Sequence, residues 1–127
     1  MTWQFDKHYT VEEARTLLPS VRRWLEQLTR LRNQLQALEQ KHSPALAAGD
    51  DLGGPAVNRL IATLASLRGV ISEFEAREIQ IKDLDRGLVD FPAFVGGREV
   101  FLCWEKDEDD IEFWHDLESG FAGRERL

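Results

Sequence analysis

Apolar residues recur along the first third of the chain at a strict helical spacing. Leu17, Val21, Trp24, Leu28, Leu31, Leu35 and Leu38 follow at intervals of 4, 3, 4, 3, 4 and 3, the pattern of a helix that buries one seam. Leu18 and Leu25 widen that seam into a core-facing stripe. Upstream, Thr10 and Glu13 in YTVEEA form a capping box, in which each side chain accepts a backbone N–H from the other residue. Pro19 lies inside the pattern, where it removes a helical hydrogen bond. It predicts a kink near Leu18, or a short helix ending there with Pro19 opening the long one. The stretch KHSPALAAGDDLGGP, roughly 42–55, ends the run. It reads as an internal loop, because neither flank could bury its apolar face alone. Pro55 suits the first turn of a second helix. There Val57, Leu60, Leu64, Leu67, Ile71 and Phe74 repeat at 3, 4, 3, 4 and 3, which predicts an antiparallel helical hairpin. Gly69 costs that helix about 1 kcal/mol against alanine and is explained if another element approaches closely.

Beyond about residue 78 the period changes. IQIKD alternates, LVDFPAF and REVFLCW are β-branched and aromatic, and DIEFWHD is short and flanked by charge. Val95-Gly96-Gly97-Arg98 is a hairpin signal, since glycines accept the positive φ of primed turns. Pairing Val95 with Arg98 puts Ala93 opposite Val100, Phe91 opposite Leu102 and Val89 opposite Trp104, a continuous apolar face. The other face carries Phe94 by Glu99, Pro92 by Phe101 and Asp90 by Cys103. A last strand is predicted from Ile111 to His115. The fold class is α+β: a long antiparallel helical hairpin, about 10–78, followed by a small three- to four-stranded antiparallel β-meander and tail, about 79–127. All 127 residues form one domain.

Composition narrows the function classes. With 43% hydrophobic and 31% charged residues the chain reads as an ordinary soluble protein. No apolar run is long enough to span a bilayer. The start has no basic segment followed by an apolar stretch, so no secretory signal is expected. The single Cys103 cannot form an internal disulfide, and a reducing cytoplasm is the default expectation. The net charge of −7 arises wholly in residues 79–127, which hold six Lys/Arg and thirteen Asp/Glu. Without clustered positive charge, neither nucleic acid nor an anionic membrane surface is an expected partner.

The segments IKDLDRGLVDFPAFVGGREVFLCWE and FWHDLESGFAGR, with the opening TVEEARTLLPSVRRWLEQL, resemble a family of small bacterial proteins catalogued as domain of unknown function 2203. The specific matches are Asp83 to Leu88, Asp90-Phe91-Pro92, Gly97-Arg98, Leu102-Cys103-Trp104, Trp114-His115-Asp116, Gly120-Phe121 and Gly123-Arg124. The resemblance implies a bacterial, cytoplasmic protein and no particular activity.

Candidate chemistry gathers in the acidic C-terminal part. Asp83, Asp85, Asp90, Glu112 and His115, with Asp116 beside them, are a ligand set suited to Mn, Fe or Zn, or through oxygen alone to Mg or Ca. DLDRGLVD lacks the glutamate that an EF-hand needs at its twelfth position, where Val95 stands, and HExxH is absent. The structural alternative, which the sequence favours, has Asp83 and Asp85 accepting backbone N–H groups around Gly87 while His115 ends a strand. Cys103 with His115 as base is a thiol-nucleophile pattern, but a cysteine inside VFLCW more often packs as a small hydrophobe. Arg98 and Arg124, with Trp104 and Trp114, could line an anion-binding pocket. The simpler reading makes Arg124 a clamp, holding the tail against Asp90, Glu112 or Asp116. The EKDEDD run reads as a solvated turn.

The first helix, about 46 Å long over residues 11–41 at 1.5 Å per residue, outruns what a small sheet can cover. Part of its seam must meet the second helix alone, or a second copy. The expectation is a non-enzymatic protein-interaction or self-association module with itself or another protein as partner and no cofactor. The alternative is a metal- or ligand-dependent enzyme or sensor built on the acidic and histidine residues, with a divalent metal as cofactor.

Overall fold

The computed structural model describes residues 2–47 and 54–127. Helix α1 runs from Val11 to Ala47 and α2 from Gly54 to Ala76. The strands are β1 (Gln80–Asp83), β2 (Leu88–Val95), β3 (Arg98–Glu105), β4 (Phe113–Asp116) and β5 (Glu125–Arg126). They form one antiparallel meander in chain order. This is the expected α+β architecture with one strand more, because two residues of the tail pair back onto β4.

The capping box is formed: Thr10 Oγ1 accepts from Glu13 N at 3.1 Å, and Glu13 Oε1 accepts from Thr10 N at 2.9 Å. These bonds hold the Glu13 carboxyl below its usual range. From there α1 is continuous through Pro19, so no short helix ends at Leu18. Ala14 and Leu18 before the proline, and Val21, Leu25 and Leu28 after it, are all buried in one core, and that shared packing outweighs the single lost bond. The helix also continues through Pro44 to Ala47, which makes helical the first part of the expected loop. Residues 48–53 of that loop lie outside the described residues. Pro55 does stand in the first turn of α2.

The deepest stripe of α1 is rotated from the predicted seam. Ala14, Leu18, Val21, Leu25 and Leu28 are fully buried, whereas Leu17, Trp24, Leu31, Leu35 and Leu38 are half-buried. The helix serves two neighbours, which explains the rotation. Its first stripe faces the sheet core of Val89, Phe91, Ala93, Val100, Leu102 and Trp104. The adjacent flank faces α2, where Trp24 meets Phe74 edge-on at 5.6 Å. Of the described residues of α2 only Phe74 is fully buried. At Gly69 a Cβ atom would meet nothing within 4 Å among the described residues, so no other described element uses the gap.

The β2–β3 hairpin has the predicted register from Leu88↔Glu105 to Val95↔Arg98, with Gly96 and Gly97 at φ 58° and 76°. One face of the sheet packs on α1. The opposite face holds Asp90, Pro92, Phe101, Cys103 and His115, all buried as well. Both ends of the chain cover it. Near the hairpin tip, His8 stacks on Phe94 at 4.0 Å and Phe5 meets Phe101 at 5.4 Å. Glu99 fastens this segment by accepting from Gln4 N, Phe5 N and His8 Nε2 at 2.8, 3.0 and 2.7 Å. Burial pushes the Glu99 carboxyl up, but these donors outweigh it and hold the group below its usual range. Toward the other end, residues Leu117 to Phe121 lie over the sheet. No described helix is long and apolar enough to cross a membrane.

Candidate functional site

On the face away from the helices, three adjacent strands each contribute one chemically capable side chain. Asp90 on β2 is paired with Cys103 on β3, and Phe101 on β3 with His115 on β4. Side chains at alternate positions share a face, so Asp90, Cys103 and His115 all project to the same side. One ligand atom from each lies within 4.8 Å of the others. A small cavity of about 270 Å³ adjoins them, bordered also by Lys82, Leu88, Leu117, Glu118, Gly120 and Phe121.

The hydrogen bonds define the state of the imidazole. His115 Nδ1 lies 2.6 Å from the Asp116 carbonyl oxygen, and Nε2 lies 3.0 Å from Asp90 Oδ2. A carbonyl oxygen only accepts, so Nδ1 carries a proton. One further proton is therefore shared between Nε2 and the carboxylate. Burial pulls the imidazole pKa down, but the Asp90 carboxylate and the Asp116 carbonyl outweigh it and raise the value. Asp90 Oδ1 is buried with no hydrogen-bond partner. Burial pushes the Cys103 thiol up to about 12, with the Asp90 carboxylate adding to the rise and Arg124 opposing it. A thiol in that state is a poor nucleophile.

The other residues singled out from the sequence are dispersed. Asp83 Oδ1 accepts from Arg86 N at 3.1 Å in the turn before Gly87. Asp85, the most exposed of the five, pairs with Arg32 of α1 at 2.7 Å instead of capping the turn. Glu112 is exposed and 3.5 Å from Arg126. Of the five residues expected to hold a metal, the structure brings together Asp90 and His115, and it places Cys103 beside them. Asp116 pairs with Arg98 at the rim. Trp104 is on the helix side of the sheet, its Nε1–H donating to the Glu108 carbonyl at 2.9 Å under the guanidinium of Arg22. Trp114 is half-buried on that same side, with Arg98 5.9 Å above its ring. Arg98 thus lies over Trp114, whereas Arg22 and not Arg98 lies over Trp104, and Arg124 lies over Phe113 and Phe121.

Arg124 does clamp the tail, but through a different acid. Its Nη1 reaches both oxygens of Glu108 at 3.0 and 2.9 Å, and its guanidinium stacks on Phe113 and Phe121 at 4.0 Å each. Glu108 belongs to the EKDEDD run, which is tied down. Its carboxylate also accepts Glu105 N, its carbonyl accepts Trp104 and Arg22, and Asp110 pairs with Arg15. Arg124→Ala should cost about 1–3 kcal/mol, as for a charge-assisted bond shielded from water. Urea denaturation checks this, and an unchanged midpoint would remove the clamp.

Fold and site together define an α+β domain in which a helical hairpin backs a five-stranded meander and a buried Asp–His pair lies on the far face. The profile of the family described as Uncharacterized conserved protein (DUF2203) matches residues 7–127, and the chain belongs to that family. Comparison with curated proteins and with solved structures finds no match.

Proposed function

We propose that the chain works as a self-associating module, its hairpin pairing with the hairpin of a second copy while each copy presents an acidic head. The outer face of α2 carries the reading. Asn58, Ala62, Ala65, Gly69 and Ser72 recur there at intervals of 4, 3, 4 and 3, all exposed and none charged. Ile61 and Leu64 beside them are 59% and 46% exposed. A helix face meeting water normally carries charged and polar side chains. Small residues instead let two helix axes come close, which gives Gly69 a use that no other described element supplies.

Charge favours a second copy, packed antiparallel. Arg59 and Glu73 stand seven positions either side of Ser66 on one side of α2. A two-fold axis at Ser66 sets Arg59 of each copy opposite Glu73 of the other, where it would share that carboxylate with Arg77. The same axis sends the two acidic heads to opposite ends of α2. Ala76, where α2 ends, is ten residues from that axis in each copy, so the two ends are about 30 Å apart at 1.5 Å per residue, well beyond the ~8 Å screening length of physiological salt.

Sedimentation equilibrium at micromolar concentration should give a dimer. Ala65→Glu, at an exposed position, should yield a monomer with unchanged helix content. A wild-type protein that stays monomeric throughout that range ends the proposal.

A further inference from the structure

The geometry points to a site for a borderline transition-metal dication, of the zinc class, held by Asp90, Cys103 and His115. This does not depend on the hairpin. The three donors come from three neighbouring strands, a rigid base that sets their spacing with little freedom to relax. Each residue is about 1% exposed, and their ligand atoms lie within 4.8 Å of one another.

Two features distinguish this cluster from an ordinary buried ion pair. Asp90 Oδ1 is buried and lacks any hydrogen-bond partner among the described residues, and Asp90 is one of the residues that line the cavity. An unmet carboxylate oxygen in that position is costly unless something binds it. The second feature is the orientation of the imidazole. The Asp116 carbonyl oxygen, 2.6 Å from Nδ1, accepts its N–H and turns Nε2 toward Asp90, and His115 lines the cavity beside it. A backbone carbonyl on one ring nitrogen, with the other directed at the ion, is the usual support of a metal-bound histidine.

The donor set names the class of ion. Thiolate and imidazole suit zinc and its neighbours, whereas magnesium and calcium require oxygen ligands in larger number. Three protein donors leave the fourth tetrahedral position open, the arrangement of zinc sites that keep a bound water. The cavity between the sheet and residues 117–121 has room for that ligand, and Glu118 stands on its wall. Protons balance simply. The ion displaces the Cys103 thiol proton and the proton shared by His115 and Asp90, both go to solvent, and the Nδ1 proton stays. Two cations are nearby: Arg124 is neutralised by Glu108, while Lys82 lies over the Phe101 ring at 4.7 Å.

The test uses the full chain without a histidine tag, stripped with a chelator. Zinc followed by calorimetry should bind one ion per chain, and cobalt should give a thiolate-to-metal charge-transfer band. Cys103→Ser should abolish that band. Asp90→Asn, nearly the same shape, should weaken zinc by more than the about 10–100-fold typical of losing a supporting contact. Circular dichroism confirms that each variant is folded. Should Asp90→Asn fail to fold, Cys103→Ser and Cys103→Ala decide alone. No saturable binding by the wild type, a cobalt band that survives Cys103→Ser, or magnesium binding as tightly as zinc would each overturn the site.

Discussion

Trp104→Ala should lower the free energy of unfolding by about 3–5 kcal/mol, as large-to-small changes of buried aromatic residues do. Whole-domain stability is commonly about 5–15 kcal/mol, so the variant should be close to unfolding at ambient temperature. The size of the effect follows from the indole's three attachments. Its ring is buried in the core between sheet and α1. The Arg22 guanidinium lies over it at 4.7 Å, and Nε1–H reaches Glu108 O at 2.9 Å. Losing the ring therefore opens a cavity and unties the acidic turn that also anchors Arg124. Urea denaturation followed by circular dichroism gives the number. A cost below about 1 kcal/mol would mean that the helix and sheet do not close on this residue.

His115→Ala should be nearly as damaging, for an electrostatic reason. The His115 and Asp90 side chains are each only 2% exposed. Removing the imidazole leaves the buried carboxylate without its charge partner, a situation that costs about 3–5 kcal/mol. The double variant Asp90→Leu, His115→Leu should lose far less, because it removes the charge along with its partner. Both are measured in chelator-treated protein, so that no bound ion contributes. Equal losses in the single and double variants would show that the stranded charge is not what matters.

Much of the architecture was legible from periodicity. Two heptad-like runs implied the hairpin, and the Gly96-Gly97 turn with its alternating flanks implied the β2–β3 register, which the structure reproduces residue by residue. Three things were not legible. Leu18 and Leu25 were readable as part of the core-facing stripe, but that they and Ala14 lie deeper than Leu17, Trp24 and Leu31 depends on a helix serving two neighbours at once, and a heptad pattern describes only one. The role of Glu108 was hidden because all six residues of EKDEDD are charged and the pattern does not say which one faces inward. The segment from Trp3 to His8 carried no periodic signal at all, yet it covers one end of the far sheet face.

The candidate site shows the same division. Residue types nominated Asp90 and His115, and considered Cys103 separately as a nucleophile. Asp83, Asp85 and Glu112 look equivalent to Asp90 in sequence, but they lie in turns or at an exposed edge and pair with local partners. By itself the sequence determined what local rules govern: the helical hairpin, the strand hairpin and its register, and a head that holds the whole net charge. Only the tertiary structure decided which acid loses its water. That depends on strand order and on which distant segments cover each face, and burial alone turns one aspartate among thirteen acids into a carboxylate paired with a histidine through one oxygen, its other oxygen unmet, beside a thiol.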